Sequence, residues 1–183
     1  PDLLNEDERV LSFLKAVIDR QARLVAQWMN LGFIHGVMNT DNMTISGQTI
    51  DYGPCAFMED FDPAAVFSSI DRQGRYAWRN QPPIAQWNLA RLAEAILPLI
   101  DENEDRALEK ATAALGGFAS TYSASVLQGQ RLKLGLLVDQ DRHVGDESLS
   151  PFDEADRELV SDWLSLLHRS SADFTRSWRA LAG

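Results

Sequence analysis

The sequence is poor in three features, each of which would indicate a particular class of protein. It has one cysteine, Cys55, so no disulfide can form within the chain, and a reducing, cytoplasmic setting is expected. No run of residues approaches the roughly 20 apolar positions of a membrane-spanning helix. Basic residues are also scarce, because 17 Lys and Arg stand against 27 Asp and Glu and the net charge is −10. We therefore expect neither a nucleic acid nor a membrane as a partner.

Apolar residues recur at three- and four-residue steps over most of the chain, which predicts a mainly α protein. The 183 residues, 45% of them hydrophobic, suffice for a single domain with its own core. Residues 52–83 are predicted to form a long ordered loop of the kind that is often functional, residues 101–105 a solvated junction, and residues 139–151 a polar loop. The predicted helices span residues 5–30, 83–100, 108–126, 132–138, 153–169 and 172–181.

Between the first two helices, the sequence predicts one small β-hairpin. Two short β-branched runs flank Ser46-Gly47, a typical turn sequence. If the runs pair about this turn, Asn42 and Asp51 lie at the two strand ends and face each other. An amide oxygen and a carboxylate in that position suit Mg²⁺, with water and phosphate oxygens completing its coordination, and Asp41 is a candidate base for an incoming hydroxyl. A simpler interpretation is that Asp41 is a carboxylate that caps the loop and that Asn42 and Asp51 are only residues at the ends of the hairpin.

Several longer strings carry a resemblance to known proteins. The order of His35, Asn42 and Asp51-Tyr52-Gly53 is similar to the catalytic loop and the metal-binding Asp-Phe-Gly element of protein kinases. The strings GFIHGVMNTDNM at 32–43, TIDYGP at 49–54 and WNLARLA at 87–93 closely resemble the selenoprotein O family, also called the YdiU or UPF0061 family.

This resemblance implies a fold, a reaction and a set of site residues. The implied fold is the helical large lobe, or C-lobe, of a protein-kinase-like pseudokinase, spanning residues 1–183. The implied activity is that of a protein adenylyltransferase, which transfers AMP from ATP to Ser, Thr or Tyr hydroxyls of proteins. Asp41 is the implied proton acceptor, Asn42 and Asp51 are the implied ligands of Mg²⁺ or Mn²⁺, and Asp51 also meets ATP. Bacterial members are expected in the cytoplasm and eukaryotic ones in mitochondria.

The sequence also departs from these patterns. Val37 stands where protein kinases have their catalytic Asp, which argues against phosphoryl transfer. His35 is predicted to brace the loop and not to transfer a proton. The small lobe of the family has no counterpart in this chain, so the large lobe alone is expected to be inactive, and Phe67 replaces a cysteine that some members pair with one near the C-terminus. The alternative hypothesis is a vestigial pseudokinase that serves as an interaction module, for which ATP need not bind.

Overall fold

The computed structural model describes residues 6–136 and 151–181 of the chain. Helices dominate this part, which confirms the prediction of a mainly α protein with a small amount of β structure. None of the helices in these two ranges is long and apolar enough to cross a membrane. In chain order the elements are α1 (Glu6–Leu31), β1 (Phe33–Ile34), a 3-10 turn (Thr40–Asn42), β2 (Ala56–Phe57), a second 3-10 turn (Trp78–Asn80), α2 (Gln81–Ile100), α3 (Glu104–Lys133), α4 (Pro151–Ser170) and α5 (Phe174–Leu181).

The main core lies between α1, α2 and α3. The amphipathic pattern of α1 puts its apolar side chains on one stripe, and this stripe packs against both of the following helices. Burying each large aliphatic side chain stabilises the fold by about 1.5–3 kcal/mol. The three helices therefore form a well-packed frame behind the segment that joins α1 to α2. The core includes Leu14, Val17, Val25, Leu89, Ile100 and Phe118.

A second, smaller core joins the C-terminal helices to the β strands. It contains Ile34 of β1 and Phe174 and Trp178 of α5. Gly32, which has a φ of +70°, lies against Phe174, because a Cβ at Gly32 would stand 2.8 Å from its ring. The backbone N–H of Phe174 also donates to the carbonyl of Glu59 at 2.6 Å. The strands are therefore held between the two cores.

Lys133, at the end of α3, lies at this second core. Its ammonium donates to the carbonyl of Asn30 and stands 5.3 Å and 5.0 Å from the ring centroids of Phe174 and Trp178. Burial lowers the pKa of Lys133 to about 8.

The hairpin at 43–50 is smaller than predicted. Met43 and Thr49 form a single antiparallel bridge around the Ser46-Gly47 turn, and the paired strands are β1 and β2, with Phe33 opposite Phe57. The bridge does not extend into a ladder, because Asn42 ends a 3-10 turn and Asp51 has a φ of +54°. Neither conformation continues an extended strand.

One other prediction about the helices was wrong. Residues 132–133 do not begin a separate helix but end α3, which continues through Gly116-Gly117, where an added side chain would meet nothing within 4 Å. Residues 137–138 and most of the predicted loop at 139–151 lie outside the described residues.

The junction between α2 and α3 is not entirely solvated. Asp101 is buried, with only 6% of its surface exposed. Its carboxylate accepts hydrogen bonds from Lys110, Arg106 and the backbone N–H of Asn103. A hydrogen bond from Lys110, and to a smaller extent one from Arg106, holds the pKa of Asp101 well below its usual range. This carboxylate fixes the corner between the two helices.

Candidate active site

Residues 35–42 form a loop that follows β1 and ends with the first 3-10 turn. A buried amide side chain at the start of α2 holds this loop in place. Gln81 is fully buried; its Oε1 accepts from the backbone N–H of His35 and its Nε2 donates to the carbonyl of Phe33, both at 2.9 Å. The side chain thus satisfies one backbone group in β1 and one at the start of the loop, much as a neighbouring strand would.

His35 connects this loop to the segment that carries Asp51. Its ring is fully buried, and Nε2 donates to the carbonyl of Ile50 at 2.8 Å, because a carbonyl oxygen can only accept. Nδ1 has no hydrogen-bond partner among the described residues. These contacts agree with the predicted bracing role of His35.

Gly36 packs the two segments together at a second point. A Cβ at this position, where φ is +85°, would lie 2.9 Å from Cγ and 3.0 Å from the carbonyl oxygen of Pro54. Only glycine permits this approach without strain. The loop at 35–42 and the segment at 50–54 therefore form one packed unit.

Two asparagines hold two carbonyls of the loop. Asn42 Nδ2 donates to the carbonyl of Val37 at 3.1 Å, and the buried Asn88 of α2 donates to the carbonyl of Met38 at 3.0 Å. Because the Asn42 amide nitrogen is used in this way, its Oδ1 is the atom left for another partner.

The three predicted site residues lie on the two sides of the Ser46-Gly47 turn. Asp41 and Asn42 belong to the 3-10 turn that precedes it, Asp51 follows it, and the Met43–Thr49 bridge joins these two stretches of chain. Asp41 and Asp51 are exposed and Asn42 is half-buried. Asp51 has the left-handed backbone that Asp tolerates better than most residues and that is frequent at functional sites.

The donor atoms of these side chains fit a hard divalent cation. Two carboxylates and an amide oxygen are the ligand types that Mg²⁺ and Mn²⁺ accept. Within residues 6–136 and 151–181, no group of three or more His, Cys, Asp and Glu side chains is arranged to hold a metal ion. An ion at Asn42 and Asp51 would therefore need further oxygens, which nucleotide phosphates can supply.

Cationic and aromatic side chains flank the loop. The guanidinium groups of Arg75 and Arg91 stand 5.3 Å and 5.1 Å from the ring of Trp87, which is half-exposed. Tyr76, next to Arg75, donates its hydroxyl to Asn39 Oδ1 at 2.7 Å. This stack places positive charge next to an otherwise acidic loop.

Gln81 and Asn88 were missed as functional residues at the level of sequence. The sequence does contain a signal for them. The two residues are seven positions apart, which puts them on one face of α2, among apolar residues that are buried. A polar residue on a buried stripe needs a hydrogen-bond partner. Only the fold shows that this partner is the loop.

The fold and the site define a helical protein that presents oxygen ligands on a braced loop. Comparisons with known proteins identify the family to which this chain belongs. The sequence profile described as "Protein adenylyltransferase SelO" matches residues 1–183. The chain therefore belongs to the SelO family.

Three relatives are each named "Protein nucleotidyltransferase YdiU". That of Rhizobium leguminosarum bv. trifolii (strain WSM2304) is 52% identical over 182 residues, covering 100% of this chain and 34% of the relative. That of Cereibacter sphaeroides (strain ATCC 17025 / ATH 2.4.3) is 56% identical, covering 100% and 35%. That of Shouchella clausii (strain KSM-K16) is 51% identical, covering 99% and 35%. The chain thus spans about a third of the length of the curated relatives it matches.

Proposed function

We propose that the protein containing this chain transfers AMP from ATP to Ser, Thr or Tyr hydroxyls of proteins. The names of the family and of the relatives support nucleotidyl transfer to protein. The observation that carries the assignment to this site is the braced loop, in which buried side chains hold the backbone while the oxygens of Asp41, Asn42 and Asp51 stay available. We infer that the chain forms the large lobe of a kinase-like fold.

In this proposal the residues of the loop have separate roles. The acceptor oxygen attacks the α-phosphorus of ATP, the bond from that phosphorus to the bridging oxygen breaks, and pyrophosphate leaves. Asp41 accepts the proton of the hydroxyl. Asn42 Oδ1 and the Asp51 carboxylate hold Mg²⁺ or Mn²⁺, which when bound offsets the negative charge of the phosphates. His35 and Gln81 act as positioning residues, because they fix the backbone on both sides of the site.

Val37 is consistent with this chemistry and not with that of a kinase. A valine has no group that could accept a proton, so this position cannot supply the base that protein kinases have there. The exposed carboxylate of Asp41, four residues later, is available for that role.

The test uses the full-length protein and ATP carrying a labelled α-phosphate. We expect label on protein with the unaltered enzyme and its loss in Asp51→Ala. Asp162→Ala is the matched control, because Asp162 is an exposed carboxylate on α4. Undiminished labelling in Asp51→Ala contradicts the proposal. Label that comes only from the γ-phosphate would indicate phosphorylation, and a protein that neither labels nor binds ATP with Mg²⁺ would indicate an interaction module.

A further inference from the structure

A cationic cluster lies on the surface beside the loop at 35–42. It consists of Arg75, Trp87 and Arg91, and the two guanidinium carbons stand over the Trp87 ring, 5.3 Å and 5.1 Å from its centroid. Trp87 and Arg91 are four residues apart and share one face of α2, whereas Arg75 belongs to the segment before the second 3-10 turn. All three side chains are exposed, so the cluster is open to a partner from outside the chain.

The segment that carries Arg75 is fixed by hydrogen bonds to its backbone. The carboxylate of Asp71 accepts from the backbone N–H groups of Arg75 and Tyr76 at 2.9 Å and 2.8 Å. Asn80 Nδ2 donates to the carbonyl of Gly74 at 2.6 Å. Because this turn is fixed and the guanidinium lies over two aromatic rings, Arg75 loses less conformational entropy on binding than a free surface arginine would.

The positive charge of Arg75 is not offset by a carboxylate. The guanidinium of Arg91 pairs with Glu94 at 2.5 Å, but that of Arg75 forms no ion pair with any residue in 6–136 or 151–181. A guanidinium that lies over an aromatic ring keeps the N–H donors at its edge free. A carboxylate is the side-chain group that accepts two such donors at once.

Two contacts connect the cluster to the proposed active site. The hydroxyl of Tyr76 donates to Asn39 Oδ1 at 2.7 Å, and Asn39 lies two residues before Asp41, which is at most about 7 Å of chain. Arg91 also lines the same cavity as Thr40. A peptide that places a hydroxyl at Asp41 can therefore place a side chain, a few residues away, on the cluster.

We propose that the cluster binds a carboxylate of the protein that is modified, so that hydroxyls with a Glu or Asp a few residues away are preferred. This inference rests on the proposed function, and it names acidic segments as the class of protein substrate. Without the cluster, the exposed carboxylates of Asp41 and Asp51 would repel such a segment. Arg75 supplies the charge that offsets this repulsion.

The first experiment measures binding without catalysis. The peptide acetyl-Glu-Glu-Ala-Tyr-Ala-Glu-Glu-amide and its counterpart with Gln in place of every Glu are each titrated into the isotope-labelled 183-residue chain and followed by NMR. We expect the Nε–H signals of the two arginines and the indole N–H signal of Trp87 to shift. The Glu peptide should bind at least about fivefold more tightly than the Gln peptide.

Variants of Arg75 locate the binding. Arg75→Gln removes the charge and is expected to reduce the preference for the Glu peptide to less than about twofold. Arg169→Gln is the matched control, because Arg169 is an exposed arginine on α4, and it should keep the full preference. Arg75→Glu should reverse the preference, so that a counterpart peptide with Lys in place of Glu binds more tightly than the Glu peptide.

The second experiment connects the cluster with the reaction. The full-length protein is given ATP with a labelled α-phosphate, and each peptide is added until the labelling of protein falls to half. We expect the Glu peptide to do this at a concentration at least about fivefold lower than the Gln peptide. Arg75→Gln should remove this difference and leave the KM for ATP unchanged.

Three results would overturn the proposal. Equal binding of the Glu and Gln peptides would mean that the cluster recognises no carboxylate. An unchanged preference in Arg75→Gln would place the acidic segment elsewhere. A raised KM for ATP in Arg75→Gln, without an effect on the peptides, would mean that the cluster contacts the nucleotide. Failure of the proposed function has a different result, in which the full-length protein transfers no label while the chain still prefers the Glu peptide.

Discussion

Replacing Gln81 tests whether the loop at 35–42 depends on the buried amide that holds it. In Gln81→Met the side chain keeps a similar length and an unbranched shape, but the backbone N–H of His35 and the carbonyl of Phe33 both lose their partner at 2.9 Å. Each buried group left unpaired costs about 1–3 kcal/mol. The free energy of unfolding should therefore fall by about 2–5 kcal/mol, a large part of the 5–15 kcal/mol that is usual for a domain.

The measurement is urea unfolding of the chain, with the slope compared between variants to confirm that the transition stays two-state. Gln86→Met is the matched control, because it makes the same change on an exposed position of the same helix, and we expect a change within about 0.5 kcal/mol. A loss below about 1 kcal/mol in Gln81→Met, or an equal loss in both variants, would refute the reasoning that the amide supports the loop.

Three further predictions concern the loop, a half-buried lysine and the nucleotide. Gly36→Ala should destabilise the chain by about 2–4 kcal/mol in urea, because the new Cβ meets Pro54 and φ is positive, whereas Gly53→Ala, with nothing within 4 Å, should cost far less. Because burial lowers the pKa of Lys133 to about 8, the unfolded chain binds more protons between pH 8 and 10, so the free energy of unfolding should rise over this range. Partial exposure limits the gain to about 1–2 kcal/mol, and Lys133→Met should abolish it. The 183-residue chain, with net charge −10, should bind Mg-ATP more weakly than about 1 mM by calorimetry; low-micromolar binding, about −8 kcal/mol, would contradict this.

Local patterns in the sequence predicted most of the helices. The apolar steps of three and four residues in α1 and α2 reflect burial of one face, and that cause is visible within a single segment. The same holds for the turn at Ser46-Gly47, since its residue types favour tight turns whatever surrounds them.

Contacts between distant segments could not be predicted in the same way. The pairing of Phe33 with Phe57 joins residues 24 positions apart, and each strand has two residues, too few for an alternating pattern. The ion pairs of Asp101, whose carboxylate is buried, escaped prediction because an acidic run is usually solvated, and only the packing of α2 against α3 shows otherwise. The roles of Asp41, Asn42 and Asp51 remain predictions, supported by residue type and by position around the turn.

Three amide side chains from different elements hold the irregular segment between β1 and Asp51. Asn42, Asn88 and Gln21 each donate to a carbonyl of the segment that includes the turn, at Val37, Met38 and Thr44 respectively. An irregular segment has no strand ladder to satisfy these carbonyls, so side-chain donors must do so. Lysine or arginine could also donate, but neither has an acceptor to offer on its other side, whereas an amide keeps its oxygen. The same choice of residue therefore fixes the backbone and, at the half-buried Asn42, leaves the amide oxygen for another partner.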